Sequence, residues 1–138
     1  TAGCKTVTNF LDNGPGSLPY ALACAQSGDT ILFASNMITD TIELNNNIFL
    51  DKNIVIKNTL AQKVKIKTQS YAVFNVARNT QLTFEGMEFI PASGGLCFVN
   101  NGILTLRNIA TSKSSTIPLL YSNNTGGQVN VEGLVYLK

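Results

Sequence analysis

Four charged residues, Lys57, Glu85, Arg107 and Glu132, hold the same place in a recurring five-residue pattern. The copies are Ile54-Val55-Ile56-Lys57-Asn58, Leu82-Thr83-Phe84-Glu85-Gly86, Leu104-Thr105-Leu106-Arg107-Asn108 and Val129-Asn130-Val131-Glu132-Gly133, and their starts are spaced by 28, 22 and 25 residues. Each reads apolar, polar, apolar, charged, then Asn or Gly. If the copies stack in register about 4.8 Å apart, the four charges form an outward row that alternates in sign. Two kinds of chemistry suit such a row. It could be a polysaccharide site, with Arg107 as a base and the carboxylates as calcium ligands. It could equally be a ladder of opposite neighbours that pins the stacking register, each exposed pair contributing at most about 1 kcal/mol. The alternation favours the ladder. An arginine between two carboxylates keeps its proton, because arginine titrates far above neutrality and adjacent negative charge stabilises the cation further.

The other titratable residues assemble no catalytic set. Carboxylates that hydrolyse a glycosidic bond must face one another across a cleft. Asp12, Asp29, Asp40, Glu43, Asp51, Glu85, Glu88 and Glu132 fall mostly in separate repeats, and a corner at Gly86 separates Glu85 from Glu88. Histidine is absent, so neither a Ser-His nor a Cys-His nucleophile can form. The cysteines at 4, 24 and 97 fit no zinc spacing, and no metal or cofactor site is read from them. In an oxidising compartment Cys4 and Cys24 are the candidate disulfide, tying the first strand to the segment that follows. Cys97, within Leu96-Cys97-Phe98-Val99, reads as a small apolar residue.

Carbohydrate contacts are the remaining chemistry. Thr83, Thr105 and Asn130 share a second outward column, beside Val55, that could meet sugar hydroxyls or ordered water. Tyr71, Tyr121 and Tyr136 are candidates for stacking on sugar rings, whereas Phe74, Phe84 and Phe98 read as core. Asn58, Gly86, Asn108 and Gly133 fall at corners, where Asn side chains satisfy backbone groups and Gly accepts left-handed backbone.

The elements that must carry these columns follow from the same repeat. A short strand recurring every 22 to 28 residues, with Gly and Asn between copies, marks a solenoid in which each turn stacks on the last. The reading is a parallel β-helix over 1–138 as one domain, with a cap over 1–28 and about four to five coils over 29–138. Strands are expected at 5–10, 29–33, 41–44, 47–50, 64–68, 72–76, 96–99 and 117–121, two or three to a coil, with a turn at 12–16. Between 17 and 28 the period becomes helical. Leu18, Ala21, Leu22 and Ala25 line one face, Ser17 is a good N-cap, Pro19 suits the first turn, and Gly28 can close the end. Such a helix would cover the first coil, whose core and strand edge would otherwise meet water.

Composition agrees with an exported β protein. Only 13% of residues are charged, the net charge is +2, and 44% are apolar, with many Asn, Thr and Ser for corners. No dense basic patch for nucleic acid exists, and no apolar run is long enough to span a membrane as a helix. No leader is visible at Thr1, which places any export signal outside this sequence.

Val7-Thr8-Asn9, Asp12-Asn13-Gly14-Pro15-Gly16-Ser17-Leu18, Ala21-Leu22, Ala25 and Gly28-Asp29-Thr30-Ile31-Leu32-Phe33 together resemble the N-terminal cap of pectin-lyase-like β-helix domains in secreted bacterial surface proteins. The likeness is specific over 7–33 and general beyond. It implies an all-β, right-handed parallel β-helix with an N-terminal capping α-helix. It also implies a long multidomain parent at the cell surface, often exported by the type IX system. Such caps usually carry Arg where this chain has Pro19, so a salt bridge there is not expected. The function implied is a non-catalytic structural or adhesive module that contacts polysaccharide or cell-surface glycans, with a polysaccharide lyase or hydrolase of the same fold as the alternative. Partners are then further domains of the parent. The apolar run at 134–137 also suggests a last coil that hides against another chain or a copy of itself.

Overall fold

The computed structural model describes residues 5–45, 47–68, 74–90, 98–112, 121–123 and 126–137. After a two-residue strand, β1 (Thr6–Val7), and a helix, α1 (Leu18–Cys24), the chain winds into turns. The first holds β2 (Thr30–Phe33), β3 (Thr41–Leu44) and β4 (Ile48–Leu50); the second holds β5 (Ile54–Lys57), β6 (Val64–Thr68) and β7 (Phe74–Val76). The third holds β8 (Gln81–Glu85), β9 (Met87–Ile90) and β10 (Phe98–Asn100), and the fourth holds β11 (Ile103–Ser112) and β12 (Tyr121–Asn123). A last strand, β13 (Gln128–Leu137), starts another round.

All pairings among these strands are parallel, and each joins a strand to its counterpart one turn away. One leg stacks β2, β5, β8, β11 and β13; the next stacks β3, β6, β9 and the far half of β11; the third stacks β4, β7, β10 and β12. The protein is a parallel β-solenoid of about four turns. This topology follows from alternation in the sequence, since period two puts every second side chain inside. Ile56, Phe84 and Leu106 form one inner column of the first leg, and Ile42, Ile66 and Phe89 one of the second, all fully buried.

Rings from all three legs meet in the middle. Phe84 from the first, Phe89 from the second, and Phe74 and Phe98 from the third lie with centroids 5.1 to 6.3 Å apart, mostly edge to face, with Phe74 stacked on Phe98. Well-placed ring pairs of this kind contribute about 0.5–1.5 kcal/mol each beyond their burial.

Corners between the first two legs tighten along the solenoid. They comprise 34–40, with a 3-10 helix at Ser35–Ile38, then 58–63, then Gly86 alone, and β11 passes through Asn108 without a break. Gly86 (φ 81°) and Asn108 (φ 52°) are both left-handed. Asn58 holds the longer corner below, its Nδ2 donating to Gln62 O at 2.7 Å and to Gly86 O at 2.9 Å while Oδ1 accepts from Leu60 N.

The N-terminal elements are shorter than the periodicity suggests. The strand expected over 5–10 is only Thr6–Val7, because the amides of Thr8 and Asn9 turn to Gly16 O instead of a neighbouring strand. The helix expected over 17–28 ends at Cys24. Ser17 caps its start as expected, accepting from Tyr20 N, but Ala25 is already extended, and Gly28 belongs to the turn into β2, where its N–H reaches Asn53 O at 2.7 Å. Lys52 closes the helix instead, its Nζ donating to the carbonyls of Leu22, Ala23 and Ala25 at 3.2, 3.0 and 2.7 Å. The strand expected at 117–121 is described only as Tyr121–Asn123, the rest lying outside the described residues.

Candidate functional site

The first leg presents its outer columns side by side. Lys57 pairs with Glu85, Glu85 with Arg107, and Arg107 with Glu132, so the four charges of the repeat stand in one line. Arg107 Nε donates to Glu132 Oε1 at 3.0 Å, with both side chains about half exposed. Among the described residues it is the one rung of this column closed by an ion pair. Beside it runs a neutral column, Thr30, Val55, Thr83, Thr105 and Asn130. Thr83, Thr105 and Asn130 are half-buried, and Asn130 Oδ1 accepts from Gln128 Nε2 at 2.9 Å.

The second leg repeats the arrangement with other residues. Glu43 pairs with Lys67, and Lys65 with Glu88, again opposite signs on adjacent strands. Sequence reasoning missed this set. The alternating pattern of 41–44, 64–68 and 87–90 was a usable signal, but corners of unequal length hid the register between them. Glu85 and Glu88 fall on different legs, either side of the Gly86 corner, Glu85 between Lys57 and Arg107 and Glu88 between Lys65 and Ala110.

Titratable groups elsewhere serve corners. Asp29, at the entry to β2, accepts from Gln26 N at 2.7 Å. That hydrogen bond holds its carboxyl below the ordinary value against the opposing effect of partial burial, and Lys5 Nζ at 3.4 Å adds to the lowering. Among the described residues no three Cys, His, Asp or Glu side chains gather to hold a metal ion. No helix of the structure is long and apolar enough to cross a membrane.

Tyr71 lies outside the described residues. Tyr121 pairs with Phe98, the column of Phe74, and Tyr136 pairs with Thr111, the partner of Phe89. Backbone alone is described at both. Among the described residues the exposed aromatics are Phe49 of β4, 70% exposed, and Tyr20 of α1, 42% exposed, neither of which the sequence singled out. Cys24 is disulfide-bonded; Cys4 and Cys97 both lie outside the described residues.

The arrangement can stack, and it offers hydroxyls, amides and paired charges to an extended ligand. No family model, curated protein or solved structure matches the chain.

Proposed function

We propose that the chain is a non-catalytic structural or adhesive module of a secreted or cell-surface bacterial protein, contacting glycans through the outer columns of its first leg. In this reading the solenoid is a right-handed, pectin-lyase-like β-helix, α1 is its N-terminal cap, and further domains of the parent are its partners. Export by the type IX system follows the resemblance of residues 7–33 alone. The cap reading is supported by Leu18, Ala21 and Leu22, which are buried in the same core cluster as Ile31 and Ile42 of the first turn.

The observation that carries the non-catalytic reading is the engagement of Arg107. A base must be free to take a proton, yet this guanidinium is bound to Glu132 at 3.0 Å and stands opposite Glu85 on its other side. Its surroundings suit a cation that bridges two turns. Incubation with pectin and polygalacturonate, with and without calcium, is expected to yield no unsaturated uronide and no new reducing ends. Product that appears with the parent chain and disappears in Arg107→Ala would favour a lyase instead.

A further inference from the structure

The sequence contains Asn-Gly twice, at Asn13-Gly14 and Asn101-Gly102, and the fold treats the two differently. In this dipeptide the glycine has no Cβ to keep its own nitrogen away from the preceding carboxamide, so attack of that nitrogen on the side chain is sterically open. Asn13 is exposed in the loop before α1, and Gly14 is left-handed (φ 84°), with nothing within 4 Å of where a Cβ would stand. Among the described residues neither the Asn13 carboxamide nor the Gly14 N–H has a hydrogen-bond partner. Gly14 O, by contrast, accepts from Ser17 N at 3.2 Å and from Ser17 Oγ at 2.7 Å. Asn101-Gly102 is locked. Asn101 N–H donates to Val76 O at 2.9 Å, and Gly102 is buried, its N–H donating to Asn100 Oδ1 at 3.1 Å. Gly102 O accepts from Asn100 Nδ2 at 3.0 Å and from Gln128 N at 2.8 Å, and the carbonyls of Ala77 and Thr80 crowd the same glycine. A nitrogen held in this way cannot swing onto the neighbouring side chain unless the corner opens.

We infer that Asn13-Gly14 is a self-modification site, at which the chain loses ammonia and then takes up water, while the fold protects Asn101-Gly102. The Gly14 nitrogen attacks Asn13 Cγ. The new N–Cγ bond replaces Cγ–Nδ2, ammonia leaves with the proton that Gly14 gives up, and a succinimide ring closes. Water then adds to one of the two ring carbonyls. Opening at Cγ leaves aspartate; opening at the main-chain carbonyl leaves isoaspartate, whose chain runs through the former side chain and is one methylene longer. The sum is one water consumed and one ammonia released, with no change of oxidation state. Either product adds a negative charge beside Asp12, whose Oδ2 accepts from Asn45 Nδ2 at 2.8 Å. Isoaspartate also lengthens the loop that sets Gly14 O against Ser17, the residue that caps α1 by accepting from Tyr20 N. The modification therefore acts on the start of α1 and stands apart from glycan contact.

The test is incubation of the folded chain at mildly alkaline pH, followed by peptide mapping with mass spectrometry, beside the same chain held unfolded in denaturant. Unfolded, both pairs should convert. In the folded chain Asn13 should convert at least about tenfold faster than Asn101, because Gly102 must first leave a buried hydrogen bond. Asn13→Gln, whose longer side chain closes a ring far more slowly, should remove the fast product. Amide exchange at Tyr20 should quicken in the separated isoaspartate form, since the Ser17 cap is loosened there. Equal rates at the two pairs in the folded chain, or an Asn13 that stays an amide while the unfolded chain reacts, would overturn the proposal. Unchanged exchange at Tyr20 would overturn its link to α1.

Discussion

At the N-terminal end Val7, Leu18, Ala21 and Leu22 are at most 2% exposed, and Lys52 ties the end of α1 to the turn after β4. At the far end a residue of equivalent inner register, Val131, keeps two-fifths of its surface in water. The residue types differ little between the two ends. What differs is whether another layer lies over them, so in a stacked fold burial belongs to the turn above as much as to the residue. A second consequence concerns edges. A parallel strand paired on one side only turns alternate amides to solvent.

Substitutions can sharpen this contrast. The largest effect is expected at the hub, where Phe84→Ala removes a ring packed against Phe74, Phe89 and Phe98 and should cost about 3–5 kcal/mol in denaturant unfolding. At the last position of the same column, Val131→Ala should cost under about 1 kcal/mol. Similar losses at both would remove the asymmetry. At the N-terminal end Leu22→Asp should destabilise by about 3 kcal/mol or more, since a charge would be set unpaired against the first turn, whereas Val131→Asp should be tolerated. If Leu22→Asp melts like the parent, α1 covers nothing of consequence.

Smaller effects follow at the helix and its turn. Lys52→Met keeps the stem but removes three hydrogen bonds to helix carbonyls, and should cost about 1–2 kcal/mol; a neutral result would mean that water replaces the ammonium without loss. Asp29 gives a pH signature. Its folded-state pKa is lowered, so its contribution is complete above the ordinary carboxylate value and disappears as pH falls through the lowered one. Asp29→Asn should therefore flatten the acid limb of a stability profile while leaving the trend at neutral pH and above unchanged. An acid limb identical to that of the parent would show that the Gln26 and Lys5 contacts do not persist in solution.

The first leg was legible because its repeat is written in register, apolar, polar, apolar, charged, corner, and Ile54, Leu82, Leu104 and Val129 do pair in sequence. Ser17 and the apolar face of α1 were legible for the same reason, being local. What escaped depends on partners far along the chain. Lys52 reaches carbonyls 27 to 30 residues away, and nothing in its own neighbourhood announces that. Glu43, Lys65, Lys67 and Glu88 were hidden by corners of unequal length. Gly102 drew no reading from the sequence, yet it is required by proximity: a Cβ there would collide with the carbonyls of Ala77 and Thr80.

The contrast in burial between the first and last strands is tested most directly by residue-resolved amide hydrogen exchange on the free chain. The account predicts strong protection at Leu82, Phe84, Leu104 and Leu106, whose strands are paired on both sides, and an alternating pattern in β13, with Val129 and Val131 exchanging fast and Asn130 and Glu132 more slowly. Uniform protection along β13, equal to that of β8, would mean that something already covers that edge and would contradict the account.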